Sequence, residues 1–208
     1  MLALVAVLVG GYLLGSIPFG YFAGRIAGVD IRNCGSGNVG ATNVLRTLGK
    51  RYGYPVFAAD FLKGFAAVKL STLIAARVQP EWISSEVFGI AGAISSVLGH
   101  SFPVWLQFKG GKGVATSAGA LFSLAPIVAL IGVAIWILTF LLTRYVSVAS
   151  VAAAAALPLI ILITNWRSQG GGRSLFYSSL CLAALVIWRH RSNLSRLMRG
   201  TEPRFTRK

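Results

Sequence analysis

The chain has 208 residues, 55% of them hydrophobic and 12% charged, against roughly 45–50% and about 25% in an ordinary soluble domain. Its mean hydropathy is +0.72, and 20 Lys and Arg against 5 Asp and Glu leave a formal net charge of +15. These figures exclude a soluble monomer, carboxylate-based metal clusters and acidic tails, and two cysteines, Cys34 and Cys181, are too few for a disulfide framework or a thiolate metal cage. A basic chain often points to nucleic acid. Here the charge shares the chain with lipid-length apolar runs and reads as membrane topology plus anion binding, with no nucleic-acid partner.

Six runs with few or no charges match the helix length of about 20 residues that crosses a hydrocarbon core. The first, Met1 to Gly24, ends before the first charge at Arg25. It lacks the basic start and small-residue cleavage site of a signal peptide and is expected to stay as a mature helix. The second, Tyr54 to Ala76, carries Asp60, Lys63 and Lys69, and the third, Val87 to Phe108, contains His100 and Pro103. The fourth, Gly113 to Thr143, has no charge and as one helix would be roughly 46 Å long, against a core of about 30 Å. Tyr145 to Trp166 and the shorter Ser174 to Trp188 follow, and a basic tail runs on to Lys208.

The positive-inside rule decides whether the fourth run breaks. A hairpin broken near Pro126 makes seven helices. With the N-terminus outside, it leaves only Arg77, Arg167 and Arg173 on the outer side and puts fifteen basic residues inside, from Arg25, Arg32, Arg46, Lys50 and Arg51 through Lys109, Lys112 and Arg144 to the tail. A single helix would split them nine against nine. The expectation is therefore an all-α integral membrane protein of seven transmembrane helices, N-terminus outside and C-terminus cytoplasmic, with two short helices near the middle. No internal repeat or low-complexity linker is evident, so residues 1–208 form a single integral membrane domain.

Three polar segments then fall on the inner face. Asn33 to Arg46 contains Gly35, Gly37 and Gly40, whose amides can point at an anion. Ser36, Asn38, Thr42 and Asn43 add neutral donors, and Arg46 a forked cation suited to phosphate. The bland alternative is a connecting loop with capping residues. His100 to Gly113 ends in Lys109-Gly110-Gly111-Lys112-Gly113 and opens into a helix, an arrangement of amides, dipole and lysines that suits phosphate, although no Walker A loop can be placed there. Its alternative is lysines that merely obey the positive-inside rule, with His100 as an interior histidine. The tail from Arg189 to Phe205 places His190, Asn193 and Leu197 on one helical face, or else is a polybasic flank lying on the membrane surface. Glu202 is expected to pair with an arginine rather than act as a base, and Asp60 and Lys63, three apart on a helix, to form an ion pair.

The result is an electropositive pocket with almost no carboxylate for acid–base work. The Gly-x-Ser-x-Gly nucleophile spacing is absent, and the His-x4-Asp pair of soluble-domain glycerolipid acyltransferases is missing, since Trp105 and Ser195 stand five residues after His100 and His190. An anion transporter or channel is the rival class, though transport sites lie near the midplane. A structural protein holding anionic lipids is another.

The three segments resemble the three cytoplasmic motifs of the bacterial acyl-phosphate:glycerol-3-phosphate acyltransferases, the PlsY family. They are Gly35-Ser36-Gly37-Asn38-Val39-Gly40-Ala41-Thr42-Asn43 with Arg46, then Gly99-His100 through Lys109-Gly110-Gly111-Lys112-Gly113, then Arg189-His190-Arg191 with Asn193. The likeness covers essentially the whole chain, and Ser192 stands where many members carry an acidic residue. The resemblance implies transfer of a fatty acyl group from acyl phosphate to the 1-hydroxyl of glycerol 3-phosphate in the bacterial inner membrane, at the cytoplasmic face. It implies Ser36, Arg46, Lys112, His190 and Asn193 as catalytic residues. Asn38, Thr42, Asn43, His100 and Lys109 would bind substrate phosphate, with Gly110, Gly111 and Gly113 supplying amide donors. No metal, cofactor or obligate protein partner is expected; the partners are the two substrates and membrane lipids.

Overall fold

A computed structural model of the chain describes residues 1–78, 84–165 and 172–205. Trp166, Arg167, Arg207 and Lys208, used above for the fifth run and the charge balance, lie outside the described residues. Among those described, every regular element is a helix. The chain divides into two compact units, Met1–Leu124 and Ala125–Lys208.

The first unit holds α1 (Leu2–Ser16), α2 (Phe19–Ile26), α3 (Ala41–Leu48), α4 (Lys50–Val78), α5 (Ser85–Ser101) and α6 (Val114–Leu124). The first apolar run is thus broken at Ile17-Pro18, because proline has no N–H to continue the ladder and its ring displaces the carbonyl one turn back. Lys63 Nζ donates to the Ile17 carbonyl at 2.9 Å. α1 packs on α5, and α4 on both α5 and α6. Lipid tails are as apolar as leucine, so such helices are held by close approach rather than by water exclusion. Glycines supply it: a Cβ on Gly15 would strike the Ser96 carbonyl, and one on Gly64 the Thr116 carbonyl. Beneath the loop between α2 and α3, Ala23, Ile31, Val39, Val44, Val56 and Leu106 form a buried apolar floor.

The second unit holds α7 (Pro126–Thr143), α8 (Val146–Asn165), α9 (Gly172–Arg189) and α10 (Arg191–Met198). The uncharged fourth run is therefore two helices, parted at Ala125 (φ −147°) with Pro126 opening the second, where its missing N–H costs nothing. Only the first half is short, at 11 residues; α7 has 18. α8 packs on α7 and α9, with α10 against both α8 and α9, and Trp136 Nε1 donates to Ser150 Oγ at 3.1 Å across the α7–α8 pair.

Among the described residues, four stretches are long and apolar enough to cross a membrane: Leu2–Ile26, Ser85–Leu106, Pro126–Thr143 and Val146–Thr164. α4, at 29 residues, is longer than any of them but charged at Asp60, Lys63 and Lys69 in its interior. The protein is a multi-pass integral membrane protein by this measure.

Candidate functional site

Local chemistry shapes the loop between α2 and α3. Asp30 accepts the Arg32 N–H at 3.0 Å and the Arg32 guanidinium at 2.6–3.1 Å. The side-chain bond, then the backbone one, holds the Asp30 carboxyl down at about 2. Gly35 and Gly37 follow at φ +57° and +70°, the left-handed region that side chains avoid. The buried Asn43, 4% exposed, gathers the loop around itself. Its Nδ2 reaches the carbonyls of Cys34 at 3.0 Å, Asn38 at 2.9 Å and Ile31 at 3.4 Å, while its Oδ1 accepts the Ser36 N–H at 2.9 Å. Asn38 Oδ1 accepts the Gly40 N–H at 2.9 Å just before α3. This leaves Ser36 exposed on a loop whose backbone is tied down, with Thr42 and Arg46 half-buried on α3.

The second glycine segment is fastened to the end of α5. The Gly110 N–H donates to the Ser101 carbonyl at 3.2 Å and the Gly111 N–H to the His100 carbonyl at 3.0 Å, which satisfies carbonyls that the helix end leaves open. Both glycines are required by proximity: a Cβ at Gly110 would meet the His100 carbonyl and Pro103, and one at Gly111 would meet His100 Nε2. The amides expected to hold substrate at Gly110 and Gly111 are thus engaged within the chain. Beside them stand Lys109, exposed, and Lys112, half-buried, followed by Gly113 at φ +80° and the first turn of α6, whose amides have no carbonyl one turn back.

In the second unit the tail folds onto one carboxylate. Glu202, 6% exposed, accepts Asn193 Nδ2 at 2.7 Å and Ser147 Oγ at 2.8 Å on Oε1, and Arg196 Nε at 2.9 Å on Oε2. Burial opposes its charge, but the hydrogen bonds from Asn193, Ser147 and Arg196 outweigh that and hold its carboxyl below the usual range. His190, 3% exposed, precedes α10, with Nδ1 2.8 Å from the Val186 carbonyl. A carbonyl only accepts, so Nδ1 carries a proton.

The expected pairs Asp60–Lys63, at 2.8 Å, and Glu202–Arg196 are present. Asn43 proves to be the internal brace of its loop, its amide consumed by backbone groups. Asn193 likewise braces the tail through Glu202. Sequence reasoning missed two couplings. His100 Nδ1 lies 3.4 Å from Asp60 Oδ1, and Ser147, 55 residues away, bonds Glu202. The one available hint was that each is a polar residue within an apolar helix. Among the described residues no group of three or more His, Cys, Asp or Glu is placed to hold a metal ion.

Glycine-built loops that carry cations and neutral donors on a helical membrane scaffold mark a membrane protein whose loop chemistry suits anionic ligands. A family model described as glycerol-3-phosphate acyltransferase matches residues 5–200. A glycerol-3-phosphate acyltransferase of Aquifex aeolicus is 47% identical over 194 residues, covering 93% of this chain and 95% of its own. One of Desulforamulus reducens is 43% identical over 199 residues, covering 95% and 93%. A crystal structure of PlsY, an integral membrane glycerol 3-phosphate acyltransferase in its glycerol 3-phosphate form, superposes with TM-score 0.85 at 44% identity, covering 98% of this chain and 96% of that one. Its lysophosphatidic acid form gives 0.83 at 43%. The chain belongs to the PlsY family of glycerol-3-phosphate acyltransferases.

Proposed function

We propose that the protein transfers a fatty acyl group from an acyl phosphate to the 1-hydroxyl of glycerol 3-phosphate, giving lysophosphatidic acid and inorganic phosphate, the first acylation of phospholipid synthesis. It does so at the cytoplasmic face of a bacterial inner membrane, in a seven-span topology with the N-terminus outside and the C-terminus inside. The break at Ala125 and the crowding of basic residues into the segments assigned to the inner side support that topology.

The observation that carries the reaction class is the state of the four carboxylates among the described residues. Asp30 is tied to Arg32, Asp60 to Lys63 and Glu202 to Arg196, and Glu86 opens α5 at the far end of that helix from His100. The glycine loops instead offer Ser36, Arg46, Lys109 and Lys112. Such a set suits the binding of two phosphates and leaves activation to the substrate. An acyl phosphate is already activated, so no covalent enzyme intermediate is needed: the glycerol hydroxyl attacks the acyl carbon, the bond from that carbon to the phosphate oxygen breaks, and phosphate leaves. Arg46 and Lys112 stabilise the phosphates and the developing oxyanion, with Ser36, Asn38, Thr42, Lys109 and Gly113 as further phosphate ligands. The hydroxyl proton passes to a substrate phosphate oxygen or to His190, and Asn193 is the second catalytic candidate of the second unit. The glycerol 3-phosphate form of the 44%-identical structure supports the acceptor.

Purified protein in detergent, given palmitoyl phosphate and glycerol 3-phosphate, is expected to release phosphate and form lysophosphatidic acid, with no turnover of palmitoyl-CoA. Lys112→Ala and His190→Ala are each expected to lower kcat/KM by about 10² or more. Folded wild-type protein that makes no product from either donor refutes the proposal and turns attention to anion flux in liposomes.

A further inference from the structure

Three side chains from α4 and α5 meet inside the first unit. Asp60 Oδ1 lies 2.8 Å from Lys63 Nζ and 3.4 Å from His100 Nδ1, and the three residues are 2%, 4% and 7% exposed. A cavity of about 10 Å³ adjoins them, room for a single water. It reaches Ser16, whose buried hydroxyl has no hydrogen-bond partner. Lys63 is enough to balance Asp60, so charge pairing explains the first two residues and not the third.

The opposite edge of His100 explains it. Nε2 fills the place where a Gly111 side chain would begin, and the His100 carbonyl accepts the Gly111 N–H at 3.0 Å. His100 therefore holds the glycine segment twice, by backbone and by ring, while Asp60 holds the ring by its other nitrogen. We infer that Asp60 and His100 are positioning residues for the phosphate-binding segment: Asp60, balanced by Lys63, orients the His100 ring, the ring seats Gly111, and the seat fixes where Lys112 and the first turn of α6 meet the anion. The inference rests on the reading of that segment as the glycerol 3-phosphate site. It gives His100 a supporting place beneath the segment in place of direct contact with phosphate.

Steady-state kinetics with glycerol 3-phosphate varied at saturating palmitoyl phosphate test it in wild type, Gly111→Ala, His100→Ala and the double variant. Gly111→Ala is expected to raise KM for glycerol 3-phosphate about tenfold with kcat within about threefold. The double variant, in which loss of the ring makes room for the methyl group, is expected to show a smaller rise than the sum of the single effects. Asp60→Asn is expected to raise KM as His100→Ala does, and to add nothing when combined with it. If Asp60→Asn strands Lys63 as a lone buried charge and does not fold, Asp60→Asn with Lys63→Met removes both charges and reads the same KM. Additive effects of His100→Ala and Gly111→Ala, or Asp60 variants that lower the thermal midpoint with KM unchanged, overturn the inference. If wild type turns over no glycerol 3-phosphate, the proposed function fails by itself. The coupling is then read in the same variants from the shift in thermal midpoint produced by inorganic phosphate: non-additive shifts uphold it and additive ones overturn it.

Discussion

In the first unit a buried neutral amide, Asn43, gathers the loop after α2 by bonding the carbonyls of Ile31, Cys34 and Asn38 and the N–H of Ser36. In the second, a buried carboxylate, Glu202, gathers the tail after α9 by accepting from Ser147, Asn193 and Arg196. The difference follows from what each must satisfy. A glycine loop presents backbone groups of both kinds, and an amide has both a donor and an acceptor end to meet them. The groups around Glu202 turn only donors toward it, one of them cationic, and a carboxylate accepts all three while balancing charge. One brace is indifferent to pH and the other is not.

The comparison can be broken most severely at Asn43. Asn43→Ala removes four contacts at a buried site and is expected to cost about 3 kcal/mol or more, read as a fall in thermal midpoint in detergent together with loss of acyl transfer. Glu202→Ala takes the shared acceptor from two buried donors, Asn193 Nδ2 and Ser147 Oγ. It should cost about 2–3 kcal/mol, the Arg196 contribution being discounted because that side chain is partly exposed. Glu202→Gln keeps one acceptor and should cost about 1 kcal/mol by the same measurement.

Acid sharpens the contrast. The Glu202 carboxyl sits below its ordinary value of 4.5 in the folded protein, so its stabilisation is complete above that value and is lost as pH falls through the lower folded one. Protection factors of tail amides, corrected for the intrinsic exchange rate, should therefore fall as pH drops below 4.5. Amides of the Asn43 loop should stay protected over that range. Asp30, ordinarily near 3.8, is held at about 2. Its ion pair with Arg32 is exposed and therefore the weakest of these elements, so Asp30→Asn is expected to leave the thermal midpoint within experimental scatter.

Local spacing made much of this legible. The apolar runs locate the helices because a helix that meets lipid needs uninterrupted apolar length, and Pro126 marks the division of the fourth run because proline opens a helix readily and continues one poorly. Asp60 and Lys63 announce their pairing because three residues along a helix bring two side chains to one face. Ile17-Pro18, by contrast, was hidden inside an unbroken apolar run. The sequence also offered Asn43, Gly110 and Gly111 as substrate ligands, since a polar residue in a glycine loop looks the same whether it faces an anion or its own backbone.

Composition and periodicity within short stretches were enough to locate the apolar runs, their membrane character and the three polar segments. Only the tertiary structure decided which donors those segments keep for themselves. The bonds of Ser147 to Glu202, of Lys63 to the Ile17 carbonyl and of His100 to both Asp60 and Gly111 link different elements. Such contacts depend on how closely helices approach, and that is set by glycines whose partners lie elsewhere in the chain.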